Sequence, residues 1–217
     1  MAQAIITTLV TISLLSCSHN QDSKEAAFWR WFQANESRLF DFEKDREKVF
    51  DELQTQLHRI HPNLTFEFGP KQDGKRDFVI SADGIRNAFP AVIDLANAAP
   101  LLPRWTITKF RPRRGFQSSV TLNGLRISPE QVEFTIEPDG DKAGITLFIE
   151  GYSRSEHEKY AALVFLMLDQ TLGEYDVETK VGFIELKSRS TKSNSAKRPF
   201  SALVQSIDRL IKSDSKQ

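Results

Sequence analysis

The period of the apolar positions changes several times along this chain, and each change predicts an element. Phe28, Trp29, Trp31 and Phe32 cluster at spacings of one, three and four residues, which predicts an N-terminal helix that docks its rings on the core, the alternative being a membrane interface. Asn35 and Ser37 punctuate it. A second helix is expected from about Asp45 to Ile60, with Val49, Phe50, Leu53, Leu57 and Ile60 on one face. Pro62 cannot continue that helix. Leu64 to Phe68 then alternates apolar and polar as a strand, and Arg76 to Ala82 is its partner. A short helix is predicted from Pro90, as its first residue, to Ala98, after which Pro100 and Pro103 lead into a strand from Trp105 to Phe110.

Further strands follow at Val120 to Leu122, Leu125 to Ile127, Val132 to Ile136 and Ile145 to Ile149. With Asn123-Gly124, Pro138-Asp139-Gly140 and Lys142 to Gly144 as turns, they read as an antiparallel meander. A helix is expected from Ser155 or Glu156 to Leu172, apolar on every side over Ala161 to Leu168 and therefore buried. Gly173 ends it. A last long strand is expected through Leu186, with Tyr175, Val177, Val181 and Phe183 on one face and a bulge at Gly182. Lys187 to Arg198 is Ser- and Lys-rich and reads as a mobile loop. Phe200, Leu203, Val204, Ile207, Leu210 and Ile211 close the chain with an amphipathic helix over 199–213. This order predicts an α+β fold, a mostly antiparallel sheet with helices packed on a face, and a single domain over 25–186 without a sequence repeat.

The N-terminus carries a different signal. Ala4 to Ser16 is apolar but shorter than the roughly 20 residues that span a bilayer, so it reads as a leader over 1–16. It ends Leu14-Leu15-Ser16-Cys17, which resembles the bacterial lipobox; no Lys or Arg stands near Met1, where that pattern has one. The resemblance implies a lipid on Cys17, a tether over 17–24 and an anchor in the cell envelope. With Ser18 after the cysteine, it favours the outer over the inner membrane. A cytoplasmic protein with a misplaced start is the alternative. Cys17 is the only cysteine, which excludes an intrachain disulfide and a Cys-rich zinc site.

Composition narrows the chemistry. Lys plus Arg and Asp plus Glu each number 29, so no global field draws the chain to nucleic acid, and any electrostatic function is local. Two local clusters stand out. Arg104, Lys109, Arg111, Arg113 and Arg114 form a basic edge suited to an anionic lipid surface; single-stranded nucleic acid would also need interleaved aromatics, for which only Phe110 and Phe116 qualify. Glu174, Asp176 and Glu178 share one face of the expected strand, where they could bind a divalent cation or hold one carboxylate protonated as a general acid. The blander expectation is that the two clusters neutralise each other.

Other motifs fall short of a site. Gly69 to Arg76 nearly spells a phosphate-binding loop, but Arg76 replaces the hydroxyl residue and a strand follows where a helix is required. His58 and His61 have no third ligand nearby, and His157-Glu158 is not followed by a second histidine. No metal or cofactor is expected. A non-enzymatic binding protein is the leading reading and a carboxylate-based hydrolase the alternative.

Phe28 to Phe32 (FWRWF), His61 to Gly69 (HPNLTFEFG), Phe78 to Gly84 (FVISADG), Trp105 to Arg113 and Leu172 to Glu178 (LGEYDVE) together resemble a group of uncharacterised bacterial proteins. The resemblance covers most of the chain after Ala27. It implies no activity or catalytic residue, and it implies that the globular part also occurs without this leader.

Overall fold

The structure, a computed structural model, describes residues 23–115, 119–122 and 124–214; the leader, Cys17, Phe116 and Asn123 lie outside them. Helix α1 (Lys24–Ala34) starts at Ser23, whose hydroxyl accepts the Ala26 N–H at 3.1 Å. Phe28, Trp29 and Phe32 are buried, and the Trp29 indole N–H donates to the Leu95 carbonyl at 2.8 Å. The expected docking of these rings is what the fold uses. Helices α2 (Glu36–Phe40) and α3 (Arg46–Ile60) add Leu39, Phe40, Val49, Leu53 and Leu57 to the same core.

Strands β1 (Thr65–Phe68) and β2 (Arg76–Ser81) pair antiparallel. Their turn carries Asp73 and Gly74 at φ of 50° and 74°, so the near phosphate-binding motif is a hairpin with two left-handed residues at its tip. A 3₁₀ turn over Arg86–Ala88 leads into α4 (Phe89–Asn97), with Pro90 in its first turn as expected. Strand β3 (Trp105–Lys109) then lies parallel to β2. It does not open a meander with the strands that follow, because α4 supplies the crossover that a parallel pairing requires.

The second half begins with a small hairpin of β4 (Val120–Leu122) and β5 (Leu125–Ile127). Strands β6 (Val132–Asp139) and β7 (Lys142–Ile149) form the long hairpin. A 3₁₀ turn over Arg154–Glu156 opens α5 (His157–Leu172), which buries Leu163, Val164, Met167 and Leu168 on one face; the expected burial on every side is not met, since Phe165 is 49% exposed. Helix α6 (Glu174–Lys180) follows, then β8 (Val181–Ser188) parallel to β7, β9 (Arg198–Pro199) beside β6, and α7 (Leu203–Asp214). The sheet order is β8-β7-β6-β9.

The fold is α+β with mostly antiparallel sheets. Two halves repeat one plan: a hairpin, a 3₁₀ turn, helix, and a third strand parallel to the hairpin's second. Both close with the same bond, Phe110 N–H to the Ile80 carbonyl at 2.8 Å and Arg189 N–H to the Ile149 carbonyl at 3.0 Å. The cores differ in kind. The first is dominated by Phe and Trp, the second by Val, Ile, Leu and Met.

Residues 174–180 correct the sequence reading, since they form a helix where alternation predicted a strand. Gly173, at φ 83°, lets the chain end α5 and restart at once, and Glu174 and Asp176 fall in the new first turn, where the helix dipole favours carboxylates. The expected bulge is present: Gly182 and Phe183 stand opposite the single Gly144. A Cβ on Gly144 would fall 2.1 Å from the Phe183 ring, so the glycine makes room for the bulged side chain.

Candidate functional site

The two charged clusters meet at the seam between the halves, but in a different arrangement from two facing rows. Glu174 is completely buried. Its carboxylate accepts from the Ser81 hydroxyl (2.7 Å) and from the backbone N–H groups of Ala82 (2.8 Å), Gly84 (3.1 Å) and Arg111 (3.0 Å). In return its own N–H donates to the Arg111 carbonyl at 3.0 Å. The donors lie at the C-terminal ends of β2 and β3, where a parallel strand pair leaves N–H groups pointing outward with no strand to receive them. One side chain of the second half therefore closes the sheet of the first.

Around this plug the arginines are consumed one by one. Arg111 donates through Nε to Glu67 (2.7 Å) and through Nη1 to Asp83 (2.8 Å), with Asp169 at 3.9 Å. Burial works against its charge, yet the hydrogen bonds to Asp83 and Glu67 carry its pKa above the usual arginine value. Arg113 binds Asp176, Asp208 at 3.1 Å and the Leu172 carbonyl at 2.8 Å. Arg114 reaches Glu67 at 3.2 Å. Lys109 donates to Asn97 at 3.2 Å, and the Arg104 guanidinium lies 3.6 Å from the centre of the Phe40 ring. Arg111 and Arg114 share Glu67 while Arg113, Lys109 and Arg104 have other partners, so the five cations do not form one open basic edge.

The carboxylates divide in the same way. Asp176 is held by Arg113 and by Lys180 at 2.7 Å. Glu178 shares the helix face of Glu174, four residues on, and beyond the seam its surroundings are Arg86 and Lys142; burial raises its pKa against those two charges. The expected cross-neutralisation holds for Arg113 with Asp176, whereas Arg111 gives its guanidinium hydrogen bonds to Glu67 and Asp83 and meets Glu174 by a backbone hydrogen bond and by charge attraction without a side-chain hydrogen bond. Tyr175, expected in the core, is 45% exposed and packs its ring on Phe89 and Phe110. Phe110 is itself buried, which removes it as a base-stacking platform.

Several residues of the seam carry no sequence signal. Ser81 and Asp83 read only as the end of a strand and a turn, and Asp169 only as a polar residue in an apolar helix. Asp169 is pushed up to about 6, by burial first, with Arg111 opposing and Glu174 and Glu178 adding repulsion. Among the described residues there is no group of three or more His, Cys, Asp or Glu side chains arranged to hold a metal ion. His58 lies against Gln54, and His61 Nδ1 accepts the Asn63 N–H at 3.2 Å. No helix among the described residues is long and apolar enough to cross a membrane.

Comparison of the chain with known protein families, curated proteins and solved structures found no match.

Proposed function

We propose that this chain is a non-enzymatic binding protein held at the cell envelope by a lipid on Cys17. The observation that carries the non-enzymatic half is the use of the candidate catalytic carboxylates: Glu174 is sealed under four donors and Asp176 is paired twice. Glu178 and its carboxylate neighbour Asp169 are left, and Asp169 faces the Arg111 guanidinium at 3.9 Å. The envelope half rests on the leader and on Leu14-Leu15-Ser16-Cys17.

Both halves are open to direct measurement. Cells fed a clickable fatty acid are expected to label the wild-type chain and not Cys17→Ala; equal label on both rejects the anchor. The purified chain is expected to turn over no ester, phosphoester or glycoside substrate. Turnover that disappears in Glu178→Gln, with the fold intact by circular dichroism, would establish the hydrolase reading instead.

A further inference from the structure

β8 is the long open edge of this molecule. It has eight residues and lies at the end of its sheet, whereas β9 at the opposite end has two. Edges of this length are usually shielded, since their outward N–H and C=O groups are ready to pair with another strand. Ile149 is opposite Ser188 and accepts the Arg189 N–H, which fixes the direction of the ladder. Residues 185, 187 and 189 turn their backbone toward β7, and Ile184, Leu186 and Ser188 turn theirs outward, although the Ser188 carbonyl already accepts the Thr191 N–H at 2.9 Å. Ile184 and Leu186 are half-buried against the aliphatic core, beside an open groove of about 610 Å³ whose other wall includes Tyr152, Arg154 and His157. Glu185 and Lys187 stand on the other face, 2.8 Å apart.

We propose that β8 pairs antiparallel with β8 of a second copy of this chain, about a two-fold axis at Leu186. That register sets outward-facing backbone against outward-facing backbone, Leu186 opposite Leu186 and Ile184 opposite Ser188. It also sets Glu185 opposite the second copy's Lys187 and Lys187 opposite its Glu185, so the charges of the edge complement themselves. Centring the axis on Glu185 or on Lys187 instead places like charges directly opposite, which is unfavourable. Leu186 then lies beside its copy, with Ile184 diagonal to the second copy's Leu186, and the two four-stranded sheets become one. The corresponding edge of the first half, β3, has five residues and no acid to meet Lys109. This inference stands apart from the reading of the seam and of Cys17.

Sedimentation velocity of the full chain over a concentration series tests it. The wild type is expected to dimerise. Glu185→Lys and Lys187→Glu are each expected to weaken the dimer about tenfold or more, and the double exchange to restore it. Leu186→Pro removes an outward N–H while leaving the ladder with β7 in place, and is expected to give a monomer with unchanged circular dichroism. A wild type that stays monomeric throughout, or a dimer indifferent to both charge reversals, overturns the proposal.

Discussion

The two halves apply the same topology to opposite problems at the ends of their parallel strands. Behind β2 and β3, the exposed N–H groups of Ala82, Gly84 and Arg111 are satisfied by Glu174 from the other half. Behind β7, the position matching Ser81 is Glu150, which binds Arg189 at 3.1 Å within its own half. The first half therefore borrows a side chain to finish its sheet, and the second finishes its own and, among the described residues, leaves β8 with no strand at its outer edge. The difference teaches that a carboxylate in a charged cluster can be a structural plug. Its burial, and not its neighbours in sequence, decides which it is.

The comparison breaks most severely at Glu174. Glu174→Ala leaves three backbone donors and a hydroxyl unpaired in a sealed site and is expected to cost about 3–5 kcal/mol, read by urea denaturation. Hydrogen exchange should then rise at Ala82, Gly84 and Arg111 more than at Ile145 or Leu147; uniform loss of protection would show that the halves do not depend on the plug separately.

Asp169 gives the next effect, with the opposite sign. Its pKa is raised from 3.8 to about 6, so the folded state binds the proton more tightly than the unfolded chain. Its contribution to stability is therefore greatest below about pH 4 and is lost as pH rises through about 6. Asp169→Asn is expected to stabilise the protein at pH 8 by about 1–3 kcal/mol, the loss of attraction to Arg111 reducing the gain, with little change at pH 4. A variant less stable than wild type at pH 8 would mean that the pairing with Arg111 outweighs burial.

Arg113→Ala follows at about 1–2 kcal/mol, since the guanidinium is partly exposed and its ion pairs with Asp176 and Asp208 are screened. Its cost should shrink in high salt; a cost independent of salt would assign the effect to the neutral bond with the Leu172 carbonyl. Lys109→Ala, at the exposed end of β3, is expected to change stability by less than about 0.5 kcal/mol.

Much of the fold was legible in periodicity. The Val49 to Ile60 helix, the hairpin read in place of a phosphate loop, the helix through Ala161 to Leu168 and the bulge at Gly182 all appear where apolar spacing and turn residues put them, although Phe165 of that helix is exposed. Residues 174–180 did not, because a stretch of seven residues with alternating apolar side chains fits a strand and a short helix alike. The candidate site was legible as residue types and not as an arrangement. Arg113 and Asp176 do pair, but Ser81, Asp83 and Asp169 come from distant segments that only the packed halves bring together.

By itself, the sequence determined what each stretch could bury and where the chain could turn: the aromatic face of α1, the helix opening at Pro90, the hairpin turn before Arg76 and the end of α5 at Gly173. These are local consequences of side-chain size and backbone freedom. Only the tertiary structure decided that β3 and β8 join their hairpins in parallel, that Glu174 is a plug rather than a member of an exposed row, and that the arginines are divided among Glu67, Asp83, Asp176 and Asp208. Those outcomes depend on which buried donors lack partners once the halves pack, and a donor's lack of a partner is a property of three-dimensional neighbours, not of position along the chain.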